Sequence, residues 1–468
     1  MLSAVRGRLV GWVARALAGV VLVAGCGGDG QDAADASLRG RTITVWNNEH
    51  QPDRMAATRA ILADFTRRTG IKTELVAVPE DGLADLVANT APGELADVIL
   101  STSLNHAHAF AARGRFDAAA AQAVVERLGV DTFSQRALAL VNRDGNAVGV
   151  PSDGWGQLLI YRRDLFERAG LDAPETVTDV ARAAKRLDGP RMAGIALPTT
   201  RGDGFTAETF EHVALAFGCQ LVDRAGTVTI DAPECVDALE WYGDVARNHA
   251  VPGEQDVEST RRAYFAGRAA MVFWSPFLLD ALAGLRDDAL PTCPQCARNP
   301  AFLAENSGLV GPLADPDGRH PSQFGSISTT VITTDADMEA AQALAEFMMT
   351  DGYVRWLGLS PQGKYPVRMG PEPGSTAYVE AWTALESGVE RRAPLSDFYS
   401  PESLASLGEG VQRFDRWGFG RGFGALVGVL AEEQPTARAV AEVIAGADAA
   451  RVARETRVTL QRIQSELR

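Results

Sequence analysis

Strand-like and helix-like stretches alternate near the start of the chain, and this alternation is the feature that most restricts its fold. The pattern consists of a strand at 41–46, a helix at 53–69, a strand at 72–78, a helix near 82–89 and a buried strand at 97–100. β-Branched residues alternate in the first strand, and apolar residues recur on one face of the first helix. A β-α-β-α-β order predicts an α/β fold, with a parallel or mixed sheet flanked by helices and a ligand beyond the carboxyl ends of its strands.

The length and charge of the chain restrict which architectures and which partners are possible. At 468 residues it exceeds what one hydrophobic core usually supports, so we expect two lobes or domains. It carries 60 Asp and Glu against 45 Lys and Arg, a formal net charge of −15. Such an acidic body disfavours nucleic acid and strongly anionic ligands as general partners, and we expect a neutral ligand.

Residues 1–25 are typical of a lipoprotein signal peptide. Three arginines precede an apolar run at 16–23 that is too short for a comfortable membrane span, and VAGC fits a lipobox in which Cys26 becomes the lipidated first residue. The alternative is an ordinary signal peptide with a chance cysteine. Residues 26–40, rich in Gly, Asp and Ala, suit a flexible tether. We therefore expect an extracytoplasmic lipoprotein that is anchored to the cell membrane.

Four further cysteines remain once Cys26 carries the anchor: Cys219, Cys235, Cys293 and Cys296. Outside the membrane an even number of cysteines favours disulfides, and three pairings are possible. Our preferred pairing joins Cys219 to Cys235 and Cys293 to Cys296. A zinc site is disfavoured because the TCPQC stretch has no second CxxC or suitably spaced histidine pair near it. We expect neither a metal nor a cofactor.

Two stretches resemble a known family. Residues 149–187 (GVPSDGWGQLLIYRRDLFERAGLDAPETVTDVARAAKRL) predict a short strand broken at Pro151, a polar bend, a second extended run and two helices. Residues 264–271 (YFAGRAAM), followed by a strand that ends at Trp274, are similar to an FxxGxAAM signature with Tyr264 in place of its first aromatic. Both resemble extracellular solute-binding proteins of the sugar-binding class, relatives of maltose-binding protein that serve ATP-binding cassette importers.

The resemblance, which is good over residues 41–370, implies a two-lobed periplasmic-binding-protein-like fold of type II. Mixed sheets flanked by helices would then face a ligand cleft between the lobes. The expected bounds are 41–152 and 311–362 for the first lobe, and 153–310 and 363–468 for the second lobe with the C-terminal helices. The implied partners are a small solute, such as a mono- or oligosaccharide, and the permease subunits of the importer, with the protein itself a monomer.

A sugar cleft needs aromatic faces to stack on the ring and polar groups to bond its hydroxyls. Residues of these types lie near predicted strand ends, in the two motifs and in the tail. The candidate ligand residues are Trp46, Asn47, Glu49, Ser101, Thr102, Asp153, Trp155, Trp274, Ser275, Ser326, Arg368 and Trp417.

Two other kinds of function stay open from the sequence. A secreted carbohydrate hydrolase would use Glu49 and Asp153 as its carboxylate pair, but no GxSxG, HExxH or other catalytic spacing occurs. A related binding protein would instead take a polyol, a glycerophosphodiester or ferric ion. A ferric-ion site would need paired tyrosines, and the seven tyrosines of the sequence include no adjacent pair. We expect a binding protein rather than an enzyme.

Overall fold

The computed structural model describes residues 37–467, so the predicted signal peptide, Cys26 and most of the predicted tether lie outside the described residues. The strands, in chain order, are β1 (Thr42–Asn47), β2 (Lys72–Ala77), β3 (Val98–Ser103), β4 (Asn142–Arg143), β5 (Asn146–Ala147), β6 (Val150–Gly156), β7 (Leu158–Arg162), β8 (Ala193–Ala196), β9 (Ala269–Trp274), β10 (Ser307–Val310), β11 (Gly325–Ile332), β12 (Tyr365–Pro366), β13 (Glu386–Ser387) and β14 (Ala393–Pro394).

The α-helices of the same range, again in chain order, are α1 (Pro52–Thr69), α2 (Glu80–Asn89), α3 (Leu104–Ala112), α4 (Ala118–Leu128), α5 (Gln135–Val141), α6 (Arg163–Ala169), α7 (Val177–Leu187), α8 (Gly204–Ala216), α9 (Pro233–Asn248), α10 (Val257–Phe265), α11 (Leu279–Leu282), α12 (Phe302–Glu305), α13 (Met338–Met348), α14 (Tyr353–Leu357), α15 (Ala377–Thr383), α16 (Pro401–Arg413), α17 (Gly424–Glu433), α18 (Pro435–Ile444) and α19 (Ala449–Glu466). Each helix of residues 37–467 is either too short or too polar to span a lipid bilayer.

The larger sheet has six strands in the order β12-β6-β11-β3-β1-β2. β1 pairs in parallel with β2 and β3, whereas β11 and β12 run antiparallel to their neighbours. Gly70 ends α1 in the left-handed region, and its N–H donates to the carbonyl of Thr66, so the chain turns directly into β2. The mixed sheet built on a β-α-β-α-β unit is thereby confirmed.

The smaller sheet has four strands in the order β10-β7-β9-β8. β7 runs antiparallel to β9 and β10, and β8 runs parallel to β9. Gly267, at φ 69°, turns the end of α10 into β9, which is the turn that the YFAGRAAM stretch predicts. Each sheet is the centre of one lobe, and the two-lobed α/β fold is confirmed.

The chain passes from the larger to the smaller sheet at Gln157, between β6 and β7, and returns through residues 311–324. The predicted break at Pro151 is wrong, because β6 continues to Gly156 and the predicted lobe boundary at 152/153 falls inside this strand. Proline fits within β6 because β12 pairs only with Gly154 and Asp153 on that side, leaving the rest of this edge open.

The C-terminal tail contacts both lobes. β12 joins the larger sheet, although the sequence predicts that residues from 363 onward belong to the second lobe. α16 packs against β6 and α17 packs against α3, both in the first lobe, and α18 and α19 then pack against α9 in the second. The tail therefore bridges the lobes instead of extending one of them.

Two disulfides hold loops of the second lobe, and they are those of the preferred pairing. Cys219 and Cys235 join the segment after α8 to the first turn of α9. Cys293 and Cys296 close the CPQC turn between α11 and α12. All four cysteines are buried.

Candidate functional site

A cleft of about 600 Å³ lies between the lobes, where strands of both sheets end. Its first-lobe wall is formed by residues that follow β1, by Arg54 of α1 and Glu80 of α2, by the end of β3 and by facing residues of β6 and β11. Its second-lobe wall comes from α8, α10, the end of β9 and the segment 277–289. The position agrees with the expectation that ligands of such sheets bind beyond strand ends.

Five of the sequence-predicted ligand residues line this cleft: Glu49, Ser101, Trp155, Trp274 and Ser326. Trp155 and Ser326 are partners across the β6–β11 ladder. Trp274 is the last residue of β9, and its ring centroid lies 4.8 Å from that of Phe205 in α8. Both cleft tryptophans are partly exposed, which leaves ring surface for stacking on a ligand.

Four alternating charges run from the cleft into the first lobe. Arg54 Nη1 donates to Glu49 Oε2 at 2.5 Å, and Lys364 Nζ lies 2.5 Å from Glu49 Oε1 and 3.2 Å from Asp153 Oδ1. Burial by itself would raise the pKa of Glu49, but Lys364 and Arg54 lower that pKa to about 2. Burial also opposes the charge of Lys364, yet Asp153 and Glu49 raise its pKa. We call these four linked side chains the charge ladder; their mutual contacts fix them in place, and Lys364 and Arg54 hold Glu49 in its ionised form.

The backbone around Glu49 is held by its neighbours. Asn47 Oδ1 accepts from the Glu49 N–H at 3.1 Å, and Asn47 Nδ2 donates to the Glu49 carbonyl at 3.3 Å. Ser101 Oγ donates to Glu49 Oε1 at 3.1 Å from a backbone at φ 59°, which is uncommon for a residue with a side chain. Trp46, Asn47 and Thr102 are themselves buried behind the cleft wall, so these three predictions identify supports and not lining residues.

Asp153 and Ser275 also differ from the prediction. The Asp153 carboxylate is fully buried, and it accepts from Trp356 Nε1 at 2.9 Å and from Ser152 Oγ at 2.7 Å in addition to Lys364. It does not line the cleft, so it supports Lys364 from inside the first lobe instead of contacting a ligand. Ser275 follows Trp274 directly but precedes the Pro276–Leu278 turn and is not among the lining residues.

Arg368 and Trp417 lie away from the cleft, where they hold parts of the fold together. Arg368 donates to the carbonyls of Met349 at 2.6 Å and Leu128 at 3.0 Å, and it is 3% exposed. Trp417 Nε1 donates to the carbonyl of Cys219 at 2.9 Å. Their donors are used by backbone carbonyls, so the prediction that they contact a ligand is not supported by their positions.

Several lining residues were not predicted from the sequence. The second-lobe wall includes Glu208 of α8 and, near the CPQC insert, Phe277, Asp280, Arg286 and Asp288. Burial raises the pKa of Asp280 to about 6, which nearby Arg286 opposes, and burial raises the pKa of Glu208 to about 7. Only Asp288 of these five residues lies in the CPQC-containing stretch 287–307, and none of the motifs discussed above includes any of the five.

Comparison with known sequences identifies a family. Residues 48–355 match the family model described as bacterial extracellular solute-binding protein. A provisionally named ABC transporter periplasmic-binding protein of Escherichia coli K12, YcjN, is 26% identical over 362 residues, which cover 75% of this chain and 77% of that protein. A mannitol-binding protein of Pseudomonas aeruginosa is 30% identical over 113 residues, covering 23% of this chain and 26% of that protein.

Solved structures share the fold at low sequence identity. A solute-binding protein from Agrobacterium radiobacter K84 in complex with ribitol has a TM-score of 0.67 and 19% identity, covering 91% of this chain and 99% of that chain. The GacH receptor of Streptomyces glaucescens, studied unliganded and with acarbose, has a TM-score of 0.69 and 18% identity, with 90% and 98% covered. Maltose-bound T. maritima MalE3 has a TM-score of 0.66 and 20% identity, with 90% and 99% covered.

Proposed function

The chain belongs to the bacterial extracellular solute-binding proteins, and from this premise we propose that it captures a small sugar or polyol in the cleft between its lobes. The bound solute would then be presented to the permease subunits of an ATP-binding cassette importer. The observation that carries the proposal is the pair of partly exposed tryptophans, Trp155 and Trp274, on opposite lobes of one polar cleft. Such faces stack on the apolar side of a sugar ring, while Glu49, Ser101 and Ser326 supply groups for hydroxyls.

The carboxylate pair that the sequence suggests for hydrolysis, Glu49 and Asp153, does not fit that role. A glycosidase needs one carboxyl group that holds a proton near neutral pH. Glu49 has a pKa of about 2, and Asp153 is sealed beneath Lys364 and Trp356. Neither group of this pair is suited to donate a proton to a glycosidic oxygen.

We place the protein outside the cytoplasm as a monomer held to the cell membrane by a lipid on Cys26. The support is the VAGC stretch after a short apolar run, together with an acidic Gly-rich segment before the first strand. Lipid labelling that persists in Cys26→Ser would contradict the anchor.

The first experiment is calorimetric titration of the mature protein with a panel that includes maltose, ribitol and mannitol. For any ligand that binds, Trp274→Ala should weaken the affinity by roughly ten- to a hundredfold, because loss of a stacked aromatic costs about 1–3 kcal/mol. Trp155→Ala should act in the same direction.

Trp241→Ala is the matched control. Trp241 is also partly buried in the second lobe, but its Nε1 donates to the carbonyl of Val177 and it does not line the cleft. This variant should lower the melting temperature and leave the affinity unchanged. Full affinity in Trp274→Ala, with a large loss of apo stability, would show that Trp274 is a core residue.

A further inference from the structure

The arginines that line the cleft are already neutralised by the protein. Arg54 is paired with Glu49 and also donates to Ser360 Oγ at 3.1 Å. Arg261 Nη2 lies 2.7 Å from Glu258, and Arg286 makes two hydrogen bonds to Asp288, at 3.1 and 2.9 Å. These three cations are therefore committed and do not favour an anionic ligand.

Two carboxyl groups of the second-lobe wall lack a comparable partner. Glu208 lines the cleft, is partly buried, and has no hydrogen bond or ion pair with any residue in the described range. Asp280 is 1% exposed. Within residues 37–467 it accepts one hydrogen bond, from the N–H of Ala281 at 2.7 Å, and its ion pair with Arg286 is long, at 3.8 Å. Carboxylates that are unpaired or weakly paired at partly dry positions are costly, so both positions favour a ligand that donates hydrogen bonds.

Two amide oxygens of the first-lobe wall also favour a ligand that donates hydrogen bonds. Asn48 Oδ1 and Gln51 Oε1 are buried without a hydrogen-bond partner, and Asn48 is 8% exposed in total. Both residues line the cleft, where Arg54 Nε is a buried donor without a partner. Among the fully buried side-chain polar atoms of the lining residues in the described range, two acceptors and one donor thus lack a partner.

Glu208 stands next to the proposed stacking surface. It lies three positions after Phe205 on α8, so the two side chains share a face of this helix. Phe205 in turn contacts the ring of Trp274. A sugar ring placed on Trp274 would therefore bring one of its substituents towards the Glu208 carboxylate.

We propose that the preferred ligand is a carbohydrate or polyol that carries a basic amine, with its ammonium group bound by Glu208 on the second-lobe wall. This inference rests on the proposed function and names its substrate class. An ammonium group donates up to three hydrogen bonds and neutralises the carboxylate, whereas a hydroxyl group donates one and leaves the charge. An acidic body argues against anions, not against this cation.

The charged groups around Glu208 support this choice. Besides burial, Glu80, Glu211 and Asp203 raise the pKa of Glu208, and only Arg416 lowers it. Arg416 is itself bound to Glu211 Oε1 at 3.1 Å. A ligand ammonium would supply the positive charge that this position lacks.

The test compares sorbitol with 1-amino-1-deoxysorbitol, and methyl glucoside with methyl 6-amino-6-deoxyglucoside, by calorimetric titration at about pH 8, where most of Glu208 is ionised and these primary alkyl amines are still mostly protonated. The amine of at least one pair should bind at least about tenfold more tightly than its hydroxyl counterpart. In Glu208→Gln, which keeps the side-chain size, this ratio should fall to near one. Glu74→Gln changes the net charge equally at an exposed site on β2 and should keep the full ratio.

Each other outcome counts against the inference. Equal or weaker binding of both amines overturns it, while binding of the neutral members leaves the proposed function standing. A preference for amines that survives Glu208→Gln overturns the assignment of Glu208. Failure of every neutral and basic compound, including the wider sugar panel, overturns the proposed function and this inference with it.

Discussion

At the residue scale, the charge ladder makes stability depend on acidity. The pKa of Glu49 is lowered from 4.5 to about 2 in the folded protein, so its ionised form favours folding. Its contribution of about 3 kcal/mol to the free energy of unfolding is complete above about pH 4.5 and disappears as the pH falls towards 2. Glu49→Gln should lack this part of the acid-induced loss, as measured by urea unfolding at several pH values.

Glu74→Gln provides the comparison for this measurement, because Glu74 is exposed on β2 and forms no ion pair within residues 37–467. It should lose stability with acid as the wild type does. Matching acid profiles for Glu49→Gln and the wild type would mean that the ladder does not hold Glu49 ionised.

For some single residues the sequence predicts a position in the cleft correctly, and for others it does not. Trp155, Trp274 and Ser326 were predicted to contact ligand because they lie in or near the crossing segment and strand ends, and the structure places them in the cleft. Asp153 has the same local signal, but its partner Lys364 lies 211 positions away. Pairing with a residue so far along the chain accompanies the burial of Asp153, and a local sequence pattern does not predict it.

At the element scale, α17 approaches α3 closely through glycine. A Cβ added to Gly428 would lie 2.6 Å from the carbonyl oxygen of Asn105 and 2.9 Å from the backbone N of Ala109. Because backbone atoms of a helix cannot give way alone, Gly428→Ala should separate the helices and cost about 1–3 kcal/mol. Thermal unfolding of the ligand-free protein measures this loss.

A second helical glycine distinguishes packing from helix propensity. A Cβ added to Gly82 in α2 would have no neighbouring atom within 4 Å, so Gly82→Ala should be neutral or stabilise the protein by up to about 1 kcal/mol. If Gly428→Ala were equally harmless, the close contact between α17 and α3 would not hold in solution.

Elements with strong local signals were predicted well. Thr176 and Thr178 are both candidates in the sequence for the start of α7, and the structure shows Thr176 as its N-cap, with a capping box completed by Asp179. The sequence pattern predicts one helix from about Met338 to Leu357, but the structure divides it into α13 and α14, with a turn at 349–352 between them. Helical periodicity continues across that turn, so the pattern alone does not reveal it.

At the scale of the whole molecule, the two passages that join the lobes ahead of the C-terminal tail meet at one side chain, Gln323. Gln323 Nε2 donates to the carbonyl of Gln157 at 2.8 Å, and Cβ atoms added at Gly156, Gly311 or Gly410 would lie within 2.8 Å of Gln323. A small region of close backbone approach therefore connects two separately packed lobes, which is the arrangement expected of a hinge.

Closure about this hinge should be visible by small-angle scattering. A saturating ligand from the panel should reduce the radius of gyration, because the lobes come together over the cleft. Trp274→Ala at the same ligand concentration should stay closer to the unliganded profile. Identical profiles for free and saturated wild type would contradict closure.

The architecture of two lobes follows from length, strand order and the crossing segment, but the path of the tail does not. α17 returns to the first lobe and α18 to the second, and Arg416 between α16 and α17 contacts Glu211 and Asn105 of different lobes. These contacts are made with residues far away in the sequence, so the hydrophobic periodicity of the tail does not predict them.

Because Lys364 is buried, the rate at which it is chemically modified should report local opening of the structure around it. The chain has three lysines, and Lys72 and Lys185 are exposed whereas Lys364 is 0% exposed. An amine-acylating reagent should modify the first two quickly, and Lys364 only when the structure around it opens. Mass spectrometry of the Lys364 peptide over time would therefore report how often this region becomes accessible, with the other two lysines as internal standards.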